Sequence, residues 1–420
     1  MKSLRMLPVF IGFLVNVLTV NAEEVSPSCL TPFGELLSEG LRTHPSITVS
    51  EKLILASELQ LSSANWAYYP TPKVNMSGSL SNTRTTITID QPLWDGGRID
   101  ASQSNAEAQK EEAFHSHALS QYQLIEGYVD TLKSYIQARD RITIMSGGLQ
   151  QLESIMGTID RMIAVDELGV ADKNLLNTKI SDINSRLTIA NAEFDVAKIQ
   201  FEILTGNEIS CDVVLTENSI FNDDMDIAKM VEDLLNFHPA LRVFDAKIES
   251  AQSGVASANS ILWPTLMLRA EHKSGALYDN DSRQDETLLY LALEMSTGAG
   301  ASALSDVERS KINVLKVKNQ KLAKEKQVVD SLMNNYVQLV AVKNNIKIVS
   351  NDVDVAEQVL NSNKRMFFLE QKRWIDVVNA LLILNNKKIN KFNLLQEYKA
   401  LEMTLALKTN RLSLETGAIL

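Results

Sequence analysis

Residues 331–368 read SLMNNYVQLVAVKNNIKIVSNDVDVAEQVLNSNKRMFF. Apolar residues recur in this stretch at steps of seven, and a second apolar row fills the positions between them. The first row is Leu332, Leu339, Ile346, Val353, Leu360 and Phe367, and the second is Val342, Val349 and Ala356. A strict heptad keeps one seam of a helix against a partner helix. We therefore predict a coiled-coil helix from about Ala301 to Phe368, roughly 100 Å long at about 1.5 Å per residue.

The rest of the composition also favours long helices. The chain has 420 residues, is 45% hydrophobic and 22% charged, and contains nine prolines. No proline occurs in residues 93–238 or 265–420, and no glycine occurs from Ala301 to Glu415. Because proline and glycine mark most turns and loops, this composition excludes a many-stranded sandwich and an enzyme rich in loops.

The first residues predict export from the cytoplasm. Lys2 and Arg5 precede a short apolar run that ends near Val20, and a small residue follows at Ala22. These features are typical of a signal peptide, so we expect residues 1–22 to be removed. An uncleaved anchor is the alternative, but the run is too short to span a bilayer. Loss of Lys2 and Arg5 takes the formal charge from −11 to −13, which argues against nucleic acid as a partner.

Two cysteines, Cys29 and Cys211, remain in the exported chain. Compartments outside the cytoplasm permit disulfides, so a bond between these thiols is one interpretation. Two unpaired thiols are the alternative, because the sequence gives no distance between them.

The chain contains an internal duplication. His44-Pro45 recurs as His238-Pro239, and the same offset relates Pro70-Thr71 to Pro264-Thr265. Matches in one ungapped frame indicate a repeat. We predict two copies, residues 23–215 and 216–420. Each copy starts with one helix of about three dozen residues, passes into a strand pair at Pro70 or Pro264, and continues with a very long helix, a reversal and a last helix.

Each copy contains one predicted β-hairpin, at about residues 73–91 and 266–296. Leu289 and Leu291 alternate with Tyr290 and Ala292, the period of a strand with one apolar and one polar face. A barrel wall with lipid outside and water inside needs this pattern, whereas a soluble hairpin packed on helices is the alternative. Aromatic residues cluster at the strand ends, where an interfacial belt would lie: Trp66, Tyr68, Tyr69, Trp94 and Trp263.

Four strands per chain are too few to close a barrel, because single-chain barrels begin at about eight strands. No segment after the signal has the roughly 18 uninterrupted apolar residues that a spanning helix needs. A membrane-embedded part would therefore have to be a barrel shared between chains, and cyclic symmetry is the ordinary way to share one.

Motifs of catalysis and cofactor binding are absent from the sequence. It contains no P-loop and no G-x-G-x-x-G, G-x-S-x-G, H-E-x-x-H or Cys-x-x-Cys pattern. Gly96-Gly97 follows a predicted strand and suits a bend into the next helix better than a phosphate site. His44 and His238, each before a proline, are interpreted as turn or packing residues. We expect neither an enzyme nor a cofactor.

Duplicated halves, each with a hairpin between helices and a long heptad helix after it, resemble the TolC family of outer-membrane export factors. The resemblance covers residues 31–416 and includes the His-Pro and Pro-Thr marks. Residues 370–380, EQKRWIDVVNA, are similar to the family segment Gly-x-Arg-Ser/Thr-x-x-Asp-Val-Leu-x-Ala after the second reversal. The resemblance implies a mainly α fold with a small β part. Three chains would share a 12-stranded outer-membrane β-barrel, four strands from each, above a long periplasmic α-helical coiled-coil tunnel.

The resemblance also implies partners and a location. A homotrimeric duct in the outer membrane of a Gram-negative bacterium, in contact with its lipid, would dock on a periplasmic adaptor and through it on an inner-membrane ABC or proton-driven pump. Residues 371–379 are closer to secretion-type members, which favours type I protein secretion over small-molecule or multidrug efflux. A soluble periplasmic coiled-coil adaptor or scaffold is the alternative from another class.

The resemblance places the second helical tip near residues 368–374. Arg373 and Trp374 are the last residues of this tip. The family's constriction acid falls on Asp376, and a second acid falls on Asn379. The arginine that holds the gate closed falls on Lys372, which keeps the charge but lacks the planar fork. The glycine of the reversal falls on Glu370, which leaves the geometry of this turn open.

The first tip, near residues 165–172, departs further from the family pattern. Gly169 matches the tip glycine, but the acid expected six residues later is Leu175. Asp172 is close enough in sequence to replace it. In the second tip, three Asp376 carboxylates around a narrow axis would attract cations. The alternative is that Asp376 is only a solvated first-turn acid that favours the helix dipole.

Overall fold

The computed structural model describes residues 30–78, 83–206, 212–214, 226–275, 285–296, 298 and 301–411. The expected signal peptide (1–22), Cys29, Cys211 and the expected boundary between the copies at 215/216 lie outside the described residues.

The secondary structure follows the same order twice. The first half contains β1 (Leu30–Pro32), α1 (Phe33–Thr43), α2 (Pro45–Trp66), β2 (Thr71–Gly78), β3 (Thr83–Trp94), α3 (Arg98–Ala164) and α4 (Val170–Thr205). The second half contains β4 (Asp212–Val214), α5 (Ile227–Phe237), α6 (Pro239–Ser260), β5 (Thr265–Gly275), β6 (Glu286–Glu294), α7 (Ala303–Phe368) and α8 (Trp374–Lys408). Pro70 and Pro264 stand directly before β2 and β5.

The start of each copy differs from the sequence prediction, which gives one helix where the structure has two. The Nδ1 atom of His44 accepts a hydrogen bond from the backbone N–H of Ser46 at 3.2 Å, and His238 accepts one from Ala240 at 3.2 Å. Each histidine therefore caps a new helix, and the proline after it occupies the first helical position, where no N–H is needed. The prediction of a single helix is wrong because proline cannot continue the helix before it.

The two hairpins join into one antiparallel sheet in the order β2-β3-β5-β6. Asp90 of β3 lies opposite Arg269 of β5, and Arg269 lies opposite Tyr290 of β6. Within the described residues, β2 and β6 are the sheet edges. A second, parallel pair joins β1 to β4, with Leu30 opposite Asp212. The prediction of two hairpins is confirmed, and their pairing through β3 and β5 is added.

The bend from β3 into α3 is built by Gly96-Gly97, as the sequence predicts. Both glycines have positive φ angles, 67° and 85°, which other residues rarely adopt. The carboxylate of Asp95 accepts hydrogen bonds from the backbone N–H groups of residues 97–99 at 3.1, 3.1 and 2.8 Å. Asp95 therefore already occupies the position at which a phosphate would meet the start of α3.

The long helices pack side by side around apolar clusters. The predicted seam of α7 is confirmed as a buried surface: Leu332, Leu339 and Leu360 are almost fully buried. Near the tips, residues of α3 and α4 meet α8 in one cluster, which includes Leu152 and Leu381. Another cluster lies farther from the tips, where the middle parts of α3 and α7 and the far ends of α4 and α8 meet α1 and α5. In the part of the chain that the structure describes, no helix is long and apolar enough to cross a membrane.

Candidate functional site: helical tips and strand wall

The second tip is a turn between α7 and α8 in which a glutamate has the left-handed backbone conformation that favours glycine. Glu370 has a φ angle of 59°. The N–H of Glu370 donates to the carbonyl of Phe367 at 3.0 Å, and the N–H of Gln371 donates to the carbonyl of Met366 at 2.9 Å. These two bonds define a Schellman motif, which normally has glycine at this position. The turn geometry that the sequence left open is thus the left-handed conformation that usually requires glycine, and here a glutamate adopts it.

The first tip, between α3 and α4, has the same construction. Asp166 has a φ angle of 61°. Its N–H donates to the carbonyl of Ile163 at 3.1 Å, and the N–H of Glu167 donates to the carbonyl of Met162 at 3.0 Å. Both tips therefore place an acidic residue where the backbone is left-handed, which costs about 1–2 kcal/mol for a residue with a Cβ.

We expect Glu370→Gly to raise the stability of the folded chain by up to about 1 kcal/mol. Relief of the left-handed strain exceeds the entropy that glycine loses on folding, about 0.5–1 kcal/mol. The apparent Tm of the purified protein, followed by circular dichroism, measures the change. Glu357→Gly, at an exposed position inside α7, is the control and should lower stability by about 1 kcal/mol. Equal losses in the two variants would show that Glu370 is not strained.

The helices that leave the two tips begin alike. α4 begins after Gly169 and α8 begins after Arg373, and the third helical residue is an aspartate in both, Asp172 and Asp376. Asp172 therefore occupies in the first tip the position that Asp376 occupies in the second. A carboxylate in the first turn favours the helix dipole, so both aspartates have a local structural reason in addition to any function.

Trp374 joins the two tips. Its side chain is 3% exposed, and its indole Nε1 donates a hydrogen bond to Oδ1 of Asp172 at 2.9 Å. The ring belongs to the apolar cluster near the tips, together with Leu176 and Ile159. A buried indole N–H needs an acceptor, and Asp172 supplies it. The start of α8 is thereby tied to the start of α4.

Asp376 differs from Asp172 in having a free carboxylate. Its side chain is half-buried, and its backbone carbonyl accepts a hydrogen bond from Nδ2 of Asn363 at 3.2 Å. Across the described residues, no side chain forms a hydrogen bond or ion pair with the Asp376 carboxylate. Asn379 is exposed three residues further along α8, on the same helix face. Lys372 is exposed in the turn before the helix, next to Arg373.

At the other end, the sheet has one apolar and one polar face. The strand registers place these exposed apolar side chains on one face: Val74, Met76, Ile87, Ile89, Leu289, Leu291 and Leu293. Aromatic side chains meet where strands and helices join, Trp66 with Tyr69 at 5.2 Å and Trp94 with Trp263 at 6.1 Å between ring centroids. An apolar face bordered by exposed aromatic rings suits a boundary between lipid and water.

His238, which caps α6, is a packing residue in the described structure. It is buried against Tyr122, with ring centroids 4.9 Å apart. Burial lowers the pKa of His238 to about 4, and the nearby Lys324 and Lys408 contribute to this lowering. The imidazole is therefore neutral near pH 7, and its Nδ1 acts as a hydrogen-bond acceptor. The interpretation of this histidine as a turn or packing residue is consistent with these contacts.

Comparison with known proteins gives a match in structure. No protein-family model matches the chain, and no curated protein matches its sequence. The outer-membrane protein VceC from Vibrio cholerae is 14% identical, with a TM-score of 0.76 over 90% of this chain and 95% of that one. The Campylobacter jejuni CmeC outer-membrane channel is 11% identical, with a TM-score of 0.78 over 90% and 86%. The open state of the Neisseria gonorrhoeae MtrE outer-membrane channel is 12% identical, with a TM-score of 0.74 over 90% and 89%.

Sequence identities this low do not transfer an activity. The structural match shows the fold alone. The chain has the fold of TolC-like outer-membrane channels.

Proposed function

We propose that this chain is the outer-membrane duct of a tripartite export system in a Gram-negative bacterium. It conducts substrate passively from an inner-membrane pump and a periplasmic adaptor to the exterior. One observation carries the proposal: the fold shared with outer-membrane channels over 90% of the chain combines paired helical tips with a sheet that has an apolar and a polar face. The apolar face contacts lipid, and the helices form the periplasmic tunnel.

Surfaces without a partner in the single chain support a ring of copies. α4 exposes an apolar heptad row of Ile189, Val196 and Ile203, and α7 exposes a separate row that includes Ile348 and Val355. Two different apolar faces on one chain fit a head-to-tail contact, and such contacts close into rings. The sheet edges β2 and β6 would pair between neighbouring copies in the same way. We propose a homotrimer, in which the strands close one shared barrel.

For the cargo, we favour type I protein secretion. The support is the similarity of residues 371–379 to secretion-type members, and small-molecule or multidrug efflux is the alternative. Deletion of the gene separates the two: loss of a secreted protein from the medium supports secretion, whereas drug sensitivity with an unchanged set of secreted proteins supports efflux.

Fractionation and conductance together test the duct. We expect the full chain in detergent extracts of the outer membrane, as a trimer by native mass spectrometry, and we expect discrete conductance steps after its insertion into a planar bilayer. Recovery as a monomer in the soluble periplasm would contradict the proposal and support a soluble adaptor or scaffold.

We also propose that Cys29 and Cys211 form a disulfide. The residues that follow them, Leu30 and Asp212, lie opposite each other in the parallel register of β1 and β4. Neighbouring strands lie about 4.8 Å apart, within the roughly 4.4–6.8 Å that a disulfide requires between Cα atoms. We expect a cross-linked peptide in mass spectrometry of the unreduced protein. The Cys29→Ser variant should expose Cys211 to alkylation, and alkylation of both thiols in the unreduced wild type would contradict the bond.

A further inference from the structure

A row of ion pairs crosses the polar face of the sheet. The carboxylate of Asp90 on β3 accepts a hydrogen bond from Nε of Arg269 on β5 at 2.5 Å, and it forms an ion pair with Nζ of Lys73 on β2 at 3.0 Å. Nη1 of Arg269 also contacts Oε1 of Glu294 on β6 at 2.9 Å. The row therefore includes every strand of the sheet, from one edge to the other.

Asp90 is the central member of this row. The residue is 7% exposed, although the neighbouring strand β2 is exposed throughout. Arg269 and Lys73 both direct their charges at it, and Arg269 offers two nitrogens, Nε and Nη2. A guanidinium that contacts a carboxylate through two nitrogens is held in a defined geometry. One carboxylate thus contacts two cations, one from the strand on either side.

Within the described strands, the polar face is balanced in charge. The strand registers place four cations and four carboxylates on it: Lys73, Arg84, Arg269 and Lys273, and Asp90, Glu271, Glu286 and Glu294. Lys273 and Glu271 also form an ion pair, at 3.1 Å. A wall without net charge neither concentrates nor excludes small ions of one sign. Loss of Asp90 would leave the face with one net positive charge in every copy and would take the shared carboxylate away from Arg269 and Lys73.

We propose that Asp90 determines the ion selectivity of the strand wall: by pairing with Arg269 and Lys73 and completing the charge balance of the face, it lets cations and anions pass this end of the duct alike. This inference rests on the proposed function, because it requires the polar face to line a water-filled passage. It adds a second selectivity element, at the end of the molecule opposite to the Asp376 tip.

The test is the K⁺/Cl⁻ permeability ratio of the full-length channel, from reversal potentials in a KCl gradient across a planar bilayer. We expect Asp90→Asn to lower the ratio by about twofold or more, because positive charge is uncovered in every copy. Lys73→Gln should raise the ratio, since one negative charge is then in excess. Asp90→Asn combined with Arg269→Gln should restore a value near that of the wild type. Thr88→Asn, on the same face, changes no charge and is the control.

Salt separates an electrostatic effect from a change of shape. The shift should be large at 0.1 M KCl, where the screening length is about 10 Å, and small at 1 M, where it is about 3 Å. If Asp90→Asn fails to assemble, Lys73→Gln alone decides through its opposite shift. Assembled variants with the wild-type ratio, or shifts that are equal at both salt concentrations, would overturn the inference and leave the duct proposal intact. A wild-type chain without conductance would instead overturn both.

Discussion

Replacement of Gly40 by alanine should strongly destabilise the protein, although it adds only one methyl group. We expect a loss of about 3 kcal/mol or more, at the upper end of what overpacking of a core costs. An ideal Cβ at position 40 would lie 1.5 Å from Oη of Tyr128 and 2.5 Å from its Cζ. Neither distance can be relieved by a small adjustment of one atom, because both atoms belong to one rigid side-chain group.

The Tyr128 ring cannot move away from this clash. It is 0% exposed, and its hydroxyl donates a hydrogen bond to the carbonyl of Leu204, near the end of α4, at 2.7 Å. The ring also packs edge-on against Phe201, with centroids 6.1 Å apart. A shift of Tyr128 would break this bond and open the cluster that joins α1, α3 and α4. The close approach of α1 to α3 therefore depends on the absence of a side chain at position 40.

Thermal unfolding followed by circular dichroism, with the oligomeric state measured in parallel, tests the Gly40→Ala prediction. Gly127→Ala is the matched control, since position 127 adjoins Tyr128 on α3 but has open space where a Cβ would stand. It should raise stability by about 1 kcal/mol through helix propensity. In a Tyr128→Leu background, Gly40→Ala should cost much less than in the wild type. An equal cost in both backgrounds would show that the Tyr128 ring is not the obstacle.

The sequence predicts those parts of the fold that rest on local periodicity. Leu332, Leu339 and Leu360 repeat at seven, and a helix with such a seam must bury it against another helix. Strand alternation around Tyr290 likewise defines two faces without any knowledge of the neighbours. Bends marked by Gly96-Gly97 follow from backbone sterics alone. These elements are predictable because the cause lies within a few residues of the effect.

Contacts between distant segments could not be predicted. Nothing near Gly40 indicates that Tyr128 will lie above it, and nothing near Asp90 indicates Arg269, because each pair meets only after the helices or hairpins have packed. The single helix predicted across His44-Pro45 is an error of another kind. The sequence does contain the signal for a new helix at this point, because a capping residue followed by proline at the first helical position is a known helix start.

The tips show both what the sequence can predict and what it cannot. The resemblance to the TolC family assigns the constriction acid to Asp376 and leaves Asp172 as a substitute for the missing acid of the first tip, and the structure places both at the third position of a helix. Their difference lies in Trp374, whose indole engages Asp172 only. That contact joins residues far apart in the chain, so the pattern around either aspartate gives no indication of it.

Asp376→Asn should change conduction through the proposed duct far more than Asp172→Asn does. Both substitutions remove a carboxylate from the same helical position, so each loses about 0.3–1 kcal/mol of favourable interaction with the helix dipole. The amide oxygen that Asp172→Asn introduces can still accept the hydrogen bond from Trp374, which keeps the two tips tied. The structural consequences are therefore matched, and the remaining difference is whether the lost charge faces the passage.

If the Asp376 carboxylates of a trimer surround the narrow end of the tunnel, a trivalent cation such as La³⁺ should block the wild-type channel from the tip side. Opposite unit charges about 4 Å apart attract by about 1 kcal/mol in water and more where water is restricted. Loss of three such charges should weaken the block by more than about tenfold, since about 1.4 kcal/mol corresponds to a tenfold change in affinity. Single-channel recordings at increasing La³⁺ concentration measure the block, with Asp172→Asn expected to stay within about twofold of the wild type. A similar loss of block in both variants would place the effect in the helix starts, and an unchanged block in Asp376→Asn would remove this residue from the constriction.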